Sequence, residues 1–200
     1  MVIPALNEAE NIGKCLESLE AQTRKADEII VVDNGSEDDT AEVALSYGVK
    51  VLHYPAPDIR FGSIGLVRQT GTDEARGDIV VSADADIIYP VDHLEKIERK
   101  FASNPRLVLL GGPIYAVERS VLKDLEVGFY NFSRSYLSGW GLPIFFGGNT
   151  SFRKNAFKKT EGYMGFAAHG PVEEWTLAFR LSRVGEFEWC DDVYCYGMES

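Results

Sequence analysis

The residues of this chain best suited to chemistry are Asp84 and Asp86, two carboxylates flanking the small Ala85 in the run GDIVVSADADIIYP, 77–90. In extended backbone, residues two apart share a face, so the pair is expected to address one hard cation, or a diphosphate carried on that cation. Ile79, Val80 and Val81 before it are β-branched and do not alternate with polar residues, the pattern of a strand buried on both faces of a parallel sheet. The charged end of such a strand must leave the sheet, and open α/β sheets bind ligands at the carboxyl ends of their strands. Two loop-capping carboxylates would give the same three letters, so the case rests on what else reaches that edge.

Asp33 closes a second apolar run, EIIVVDNGSEDDT, just before an Asn34-Gly35 turn. Its carboxylate can accept from the ring N–H of a uracil or guanine, or it can serve only to stabilise the turn. Arg68 lies at the start of a helix that begins near Gly65; it is either a surface residue or a forked donor for a diphosphate, with Arg60 a weaker candidate. Gly147 and Gly148 permit close approach, and Asn149 and Thr150 offer neutral hydrogen bonds suited to sugar hydroxyls. Arg153, Lys154, Lys158 and Lys159 are the one basic cluster and read as a solvated helix face. Glu173 and Glu174 occupy the first turn of a helix, where acids complement the dipole or one of them removes a proton. His53 reads as an ordinary strand-end residue, and His169 as an exposed loop histidine or a metal or phosphate ligand.

The elements that must position these groups begin with a short strand at Met1 to Pro4. A helix follows, with Asn7 as N-cap and Ile12, Cys15, Leu16 and Leu19 on one face. A second strand ends at Asp33, a helix spans Thr40 to Tyr47 and stops at Gly48, and a third strand covers VKVLHY. This β-α-β-α-β order predicts a doubly wound, mainly parallel sheet with helices on both faces. The ends Pro4-Ala5-Leu6, Asp33 and Asp84-Ala85-Asp86 should emerge together, Ala5 or Leu6 supplying an apolar wall. Pro55 to Gly62 reads as a loop. Val91, Leu94, Ile97 and Phe101 mark a covering helix, and RLVLLGGPIYAVE a strand bent at its glycines. The aromatic stretch Ser120 to Phe146 reads as a core helix and its cover, or as an exposed apolar face that meets a lipid-linked or membrane-proximal acceptor. Leu177, Leu181 and Val184 form the packed face of a later helix, and 185–200 a final strand region.

Two hundred residues, 45% hydrophobic and 26% charged, suit one globular domain over 1–200. A net charge of −11 with no basic stretch excludes a nucleic-acid footprint. No apolar run has the roughly 18 residues of a transmembrane helix, and the first residues do not form a signal peptide, so the expected location is cytoplasmic, at the membrane surface if the aromatic face is exposed. Cys15, Cys190 and Cys195 have no metal-site spacing and read as reduced thiols.

Taken in order, these segments resemble the family 2 glycosyltransferases, inverting nucleotide-sugar enzymes with a GT-A fold. VIPALNEAENI is similar to the family's opening strand and helix, EIIVVDNGSEDDT to its second strand and turn, and VRQTGTDEARGDIVVSADAD to its Arg-bearing helix and Asp-x-Asp strand. GGNTSFRKNAF resembles the stretch beside the acceptor cleft, and Glu173-Glu174 stands where the family carries Glu-Asp. The resemblance implies a nucleotide-sugar half over about 1–90, with Pro4, Ala5, Leu6, Asp33, Arg68, Asp84 and Ala85 at the nucleotide and Asp86 on Mn2+ or Mg2+. It implies an acceptor half over about 91–200, with Gly148, Asn149 and Glu173 near the acceptor and Glu174 as catalytic base. The donor would be a UDP- or GDP-sugar; the acceptor is left open among glycan, lipid and small molecule. Leu6 departs from the aromatic that many members stack on the base, Gln69 from the usual Asn, and Glu174 from the usual Asp.

Two other readings use the same residues. A sugar-phosphate nucleotidyltransferase would need a Gly-rich, basic loop after the first strand, where ALNEAENI is acidic. A non-catalytic nucleotide-sugar-binding domain would need no base.

Overall fold

The computed structural model describes residues 1–54, 64–118, 120–145, 147–163 and 173–198. Strands β1 (Val2–Ala5), β2 (Ile30–Asp33), β3 (Lys50–His53) and β4 (Ile79–Ala83) join β6 (Leu107–Gly111), β8 (Asn149–Arg153) and β9 (Glu186–Trp189) in a seven-stranded sheet ordered β3-β2-β1-β4-β8-β6-β9. Every pairing is parallel except those of β8, which runs antiparallel to both β4 and β6. A smaller sheet, β5-β10-β7, is built from β5 (Ile87–Ile88), β7 (Ile114–Ala116) and β10 (Cys195–Gly197).

The non-alternating apolar strands are buried on both faces, as their composition requires. Ile3, Val31 and Val81 pack into one core layer with Leu16 and Leu19 of α1 (Ile12–Glu20), Ala44 of α2 (Thr40–Ser46), and Leu94 and Ile97 of α4 (His93–Ser103). Val2, Val32 and Val80 pack into the other with Val67 of α3 (Ile64–Glu74) and Leu177 and Leu181 of α7 (Glu173–Ser182). Each fully buried Leu, Ile or Val of these layers contributes about 1.5–3 kcal/mol. This is the mixed α/β, largely parallel arrangement of a GT-A fold. Gly71 sets the distance between α3 and the sheet, since a Cβ there would stand 2.4 Å from Val2 Cγ1 and 2.9 Å from Val32 Cγ2. That close approach brings Arg68, one turn earlier, onto the carboxyl end of β4.

Several expectations are corrected. Asn7 is not the N-cap of α1; Asn11 is, and Asn7 adopts φ 54°, a left-handed conformation that Asn tolerates better than most residues. There its amide donates to Ser36 Oγ and its side-chain oxygen accepts from Glu37 N, tying the loop after β1 to the loop after β2. Val91 lies ahead of α4 and is exposed, and Val184 likewise lies outside the packed face of α7. The segment after β6 leaves the large sheet at Gly112, where a Cβ would meet Val193 O at 1.8 Å, and continues as β7 of the small one. The final region supplies strands to both sheets. The core-helix reading of the aromatic stretch fails: α5 (Val121–Gly139) buries Asn131 and Arg134 and exposes most of its large apolar side chains. α6 (Lys154–Phe157) is a single turn. The three cysteines are free and buried. Arg60, His169 and the loop Pro55 to Gly62 lie outside the described residues.

Candidate active site

Register aligns the strand ends at the carboxyl edge. Ala5 pairs with Asp33 and Asp33 with His53, while β4 ends at Ala83 beside β1. At that edge opens a cleft of about 480 Å³, lined by Pro4, Ala5, Leu6, Asn34, Arg68 and Ala85 together with three carboxylates, Glu8, Asp84 and Asp86. The Asp84-Ala85-Asp86 segment lies in a turn, not in extended backbone. The two carboxylates thus reach one cleft through the turn, with Ala85 buried beneath them.

Arg68 organises this edge. Its guanidinium, 4% exposed, donates from Nη1 to Ser82 Oγ (2.8 Å) and Ala83 O (2.9 Å), and from Nη2 to Asp84 Oδ1 (2.5 Å). Its Nε forms an ion pair with Glu174 Oε1 at 2.8 Å. Burial opposes its charge, but Asp84 and Glu174 outweigh that and hold it protonated. Most of the guanidinium fork is thereby committed to the protein, although Arg68 still lines the cleft. A surface position is excluded.

Gly147 and Gly148 pack onto the same ions. A Cβ on Gly147 would lie 2.1 Å from Glu174 Oε1 and 2.5 Å from Arg68 Nη2, and one on Gly148 2.6 Å from Asp84 Oδ2. The Tyr89 hydroxyl, donating to Gly148 O at 2.8 Å, fixes this backbone against the Asp84 turn. Asn149 is corrected as an acceptor contact. It is 1% exposed, and its Nδ2 donates to Pro113 O and Val193 O, joining the two sheets. Thr150 is buried in β8. Arg153 and Lys154 lie at the opposite edge, Arg153 paired with Ile79 and donating to Leu107 O and Phe101 O.

Asp33 is mostly covered. It accepts from Ser36 N (3.1 Å) and from His53 Nδ1 (3.2 Å). Burial would raise its pKa, but Ser36 and His53 hold it below the usual carboxylate range. Asp86 moves the other way, raised to about 6 by burial and then by Asp84 and Glu8. Glu173, beside Glu174 at the start of α7, is raised to about 7 by burial and then by its neighbour's charge. Its Oε2 has no hydrogen-bond partner among the described residues.

Glu8, His53 and Tyr89 join the expected set. Glu8 follows the first strand directly and reads as a dipole partner only if the helix starts at Asn7, which it does not. His53 could have been found from strand lengths, because in-register parallel strands ending at Asp33 and His53 must be neighbours. Tyr89 carried no signal.

The sequence model described as Glycosyl transferase family 2 matches residues 1–160. The chain belongs to glycosyl transferase family 2. Among curated proteins, Glycosyltransferase AglE of Haloferax volcanii is 35% identical over 120 residues, 57% of this chain and 38% of that protein. The 4,4'-diaponeurosporenoate glycosyltransferase of Staphylococcus haemolyticus is 30% identical over 194 residues, 92% of this chain and 51% of that protein. Among solved structures, mannosyltransferase PcManGT from Pyrobaculum calidifontis, in complex with GDP-Man and Mn2+, matches with a TM-score of 0.73 and 22% identity, covering 98% of this chain and 55% of that one. The family 2 chain described here thus spans about half the length, or less, of the curated relatives it matches.

Proposed function

We propose that this family 2 chain moves a sugar from a nucleoside-diphosphate donor to an acceptor hydroxyl by a single inverting displacement. The observation that carries the reading is the buried Arg68 joining Asp84, on the cleft, to Glu174, at the start of α7. One cation thereby holds a donor-side and an acceptor-side carboxylate in fixed relation. Removing one member of such a buried charge network typically costs about 3–5 kcal/mol, so the three side chains hold one another in place.

In this reading Asp33 meets the base edge, Pro4, Ala5 and Leu6 form the wall beside it, and Asp84 turns its remaining oxygen to the ribose. Asp86 is the protein ligand of Mg or Mn. The donor set suits such an ion in kind: three carboxylates share the cleft, and the pKa of Asp86 is raised first by burial and then by the charges of Asp84 and Glu8. Among the described residues no three His, Cys, Asp or Glu side chains form a metal cage. A bound divalent ion would offset the charge that develops on the leaving diphosphate. The acceptor proton passes to Glu174, which Arg68 and Gly147 hold in place, while Glu173 lies beside it.

Glu174→Gln keeps the size of the side chain but removes both its basicity and the charge that faces Arg68, so its melting temperature is read beside its activity. It is expected to bind a nucleotide-sugar as the parent does and to release nucleoside diphosphate during transfer at least about a hundredfold more slowly. Slowing by Glu173→Gln instead would move the assignment by one residue, and slowing by neither would refute it.

A further inference from the structure

Helix α5 is inside out for a globular protein. Leu122, Leu125, Phe129, Phe132, Tyr136 and the C-cap Trp140 recur at helical spacing, all within an arc of about 80° at 3.6 residues per turn. That arc faces solvent: Leu122 is 80% exposed, Phe129 69%, Phe132 67% and Trp140 74%. The opposite side carries Asn131 and Arg134, both buried. Asn131 stitches the helix to β7, accepting from Ile114 N and donating to Ile114 O. The fold therefore fixes α5 by polar contacts and presents its apolar stripe outward, with Phe132 stacked on Tyr136 and Tyr136 against Trp140.

We propose that this stripe is the surface by which the protein lies on a lipid bilayer, with α5 along the headgroup boundary. Charge is the first argument. The chain carries 31 Asp and Glu, yet 127–145 contains none, and Arg134 is its one charged residue. From Val127 on, an otherwise acidic molecule is thus cleared of carboxylates where an anionic headgroup layer would repel them, while Asp124 and Glu126 stand exposed near the start of α5, beside Leu122 and Leu125. Area is the second. Nineteen helical residues present a strip about 28 Å long and about 10 Å wide, roughly 300 Å². A stable protein interface buries about 800 Å² on each side, and a second copy would bring a further net charge of −11. A bilayer accepts a narrow strip of any length, and Trp, Tyr and Phe are the side chains that settle at its boundary. No described helix is long and apolar enough to cross a membrane, so the contact is one of lying on the surface. Seven residues after Trp140 the chain reaches Gly147, against Glu174, so the stripe leads to the acceptor side of the cleft.

The test is flotation of the purified chain with phosphatidylcholine vesicles, with and without a minor fraction of phosphatidylglycerol. The parent is expected to float with both. Phe129→Ser/Phe132→Ser/Trp140→Ser, three exposed positions, should keep the parent's melting temperature and partition at least about a hundredfold more weakly, because each aromatic buried in the bilayer adds to the binding. A second measurement needs no loss of function: in Trp175→Phe/Trp189→Phe, brominated lipid should quench Trp140. Absence of flotation, or flotation that the triple variant retains together with unquenched Trp140, overturns the proposal. A dimer in sedimentation equilibrium that the triple variant dissolves, with no flotation, assigns the stripe to a second copy instead. Vesicle binding and nucleotide binding are separate readouts, so failure here leaves the sugar-transfer reading standing, and the reverse.

Discussion

At the scale of single residues, the site is a balance between several carboxylates, Glu8, Asp84, Asp86, Glu173 and Glu174 among them, and the guanidinium of Arg68. Glu173 shows the balance most openly. Its folded pKa, about 7, exceeds the usual carboxylate value, so the folded state binds its proton more tightly than the unfolded chain does. The resulting stability is fully present below the unfolded pKa, near 4.5, and is lost as pH rises through about 7. Glu173→Gln, which cannot ionise, should therefore melt higher than the parent above pH 7, the gap closing toward pH 5. A gap that stays constant across that range would show that Glu173 is not held protonated by the fold. Asp33, Asp84 and Asp86 were legible as candidates from their places after apolar runs. What each one touches was not, because a carboxylate looks the same whether a buried Arg68 faces it or water does. Asn149 shows the opposite failure: an amide after two glycines promised an open hydrogen-bonding group, and packing between two sheets consumed it.

At the scale of elements, α1 and α4 followed from helical spacing and the strands ending at Asp33 and Ala83 from apolar runs, since each buries a face that its sequence marks. The start of α1 did not, because a left-handed Asn7 is chosen by partners thirty residues away. Helix α5 was periodic in sequence too, but periodicity reports that one face is apolar and not whether anything covers it. The glycine pair before β8 is the element whose role needed coordinates. Gly147→Ala should displace Glu174 and Arg68, destabilising the fold by about 1–3 kcal/mol and slowing transfer. Gly128→Ala, in α5 with nothing within 4 Å of the added Cβ, should instead stabilise by about 0.5–1 kcal/mol through helix propensity. Denaturation midpoints measure both, and equal shifts of one sign would deny the packing account.

At the scale of the whole molecule, alternation of strands and helices predicted a doubly wound sheet, and the β3-β2-β1-β4 half has that form. The antiparallel β8 and the small second sheet lay beyond sequence reasoning, because strands of only two to five residues carry no mark of their partners. Yet that half supplies Gly147, Gly148 and Glu174, which meet Asp84 and Arg68 from the first. The two halves meet at Arg68 and Asp84, which line the cleft, and the proposed function requires this cleft to hold a nucleoside-diphosphate sugar with a divalent ion. The direct measurement is the thermal midpoint of the parent and of Asp86→Ala against UDP-sugars and GDP-sugars, each with and without Mn2+. A ligand bound only by the folded state raises the midpoint, by about 2.7 kcal/mol of stability at a hundred times its dissociation constant. A rise is expected with one nucleotide class, larger with Mn2+ present, and the Mn2+-dependent part is expected to be lost in Asp86→Ala. No rise with any nucleotide-sugar, or a Mn2+-dependent rise undiminished in Asp86→Ala, would contradict the proposed function.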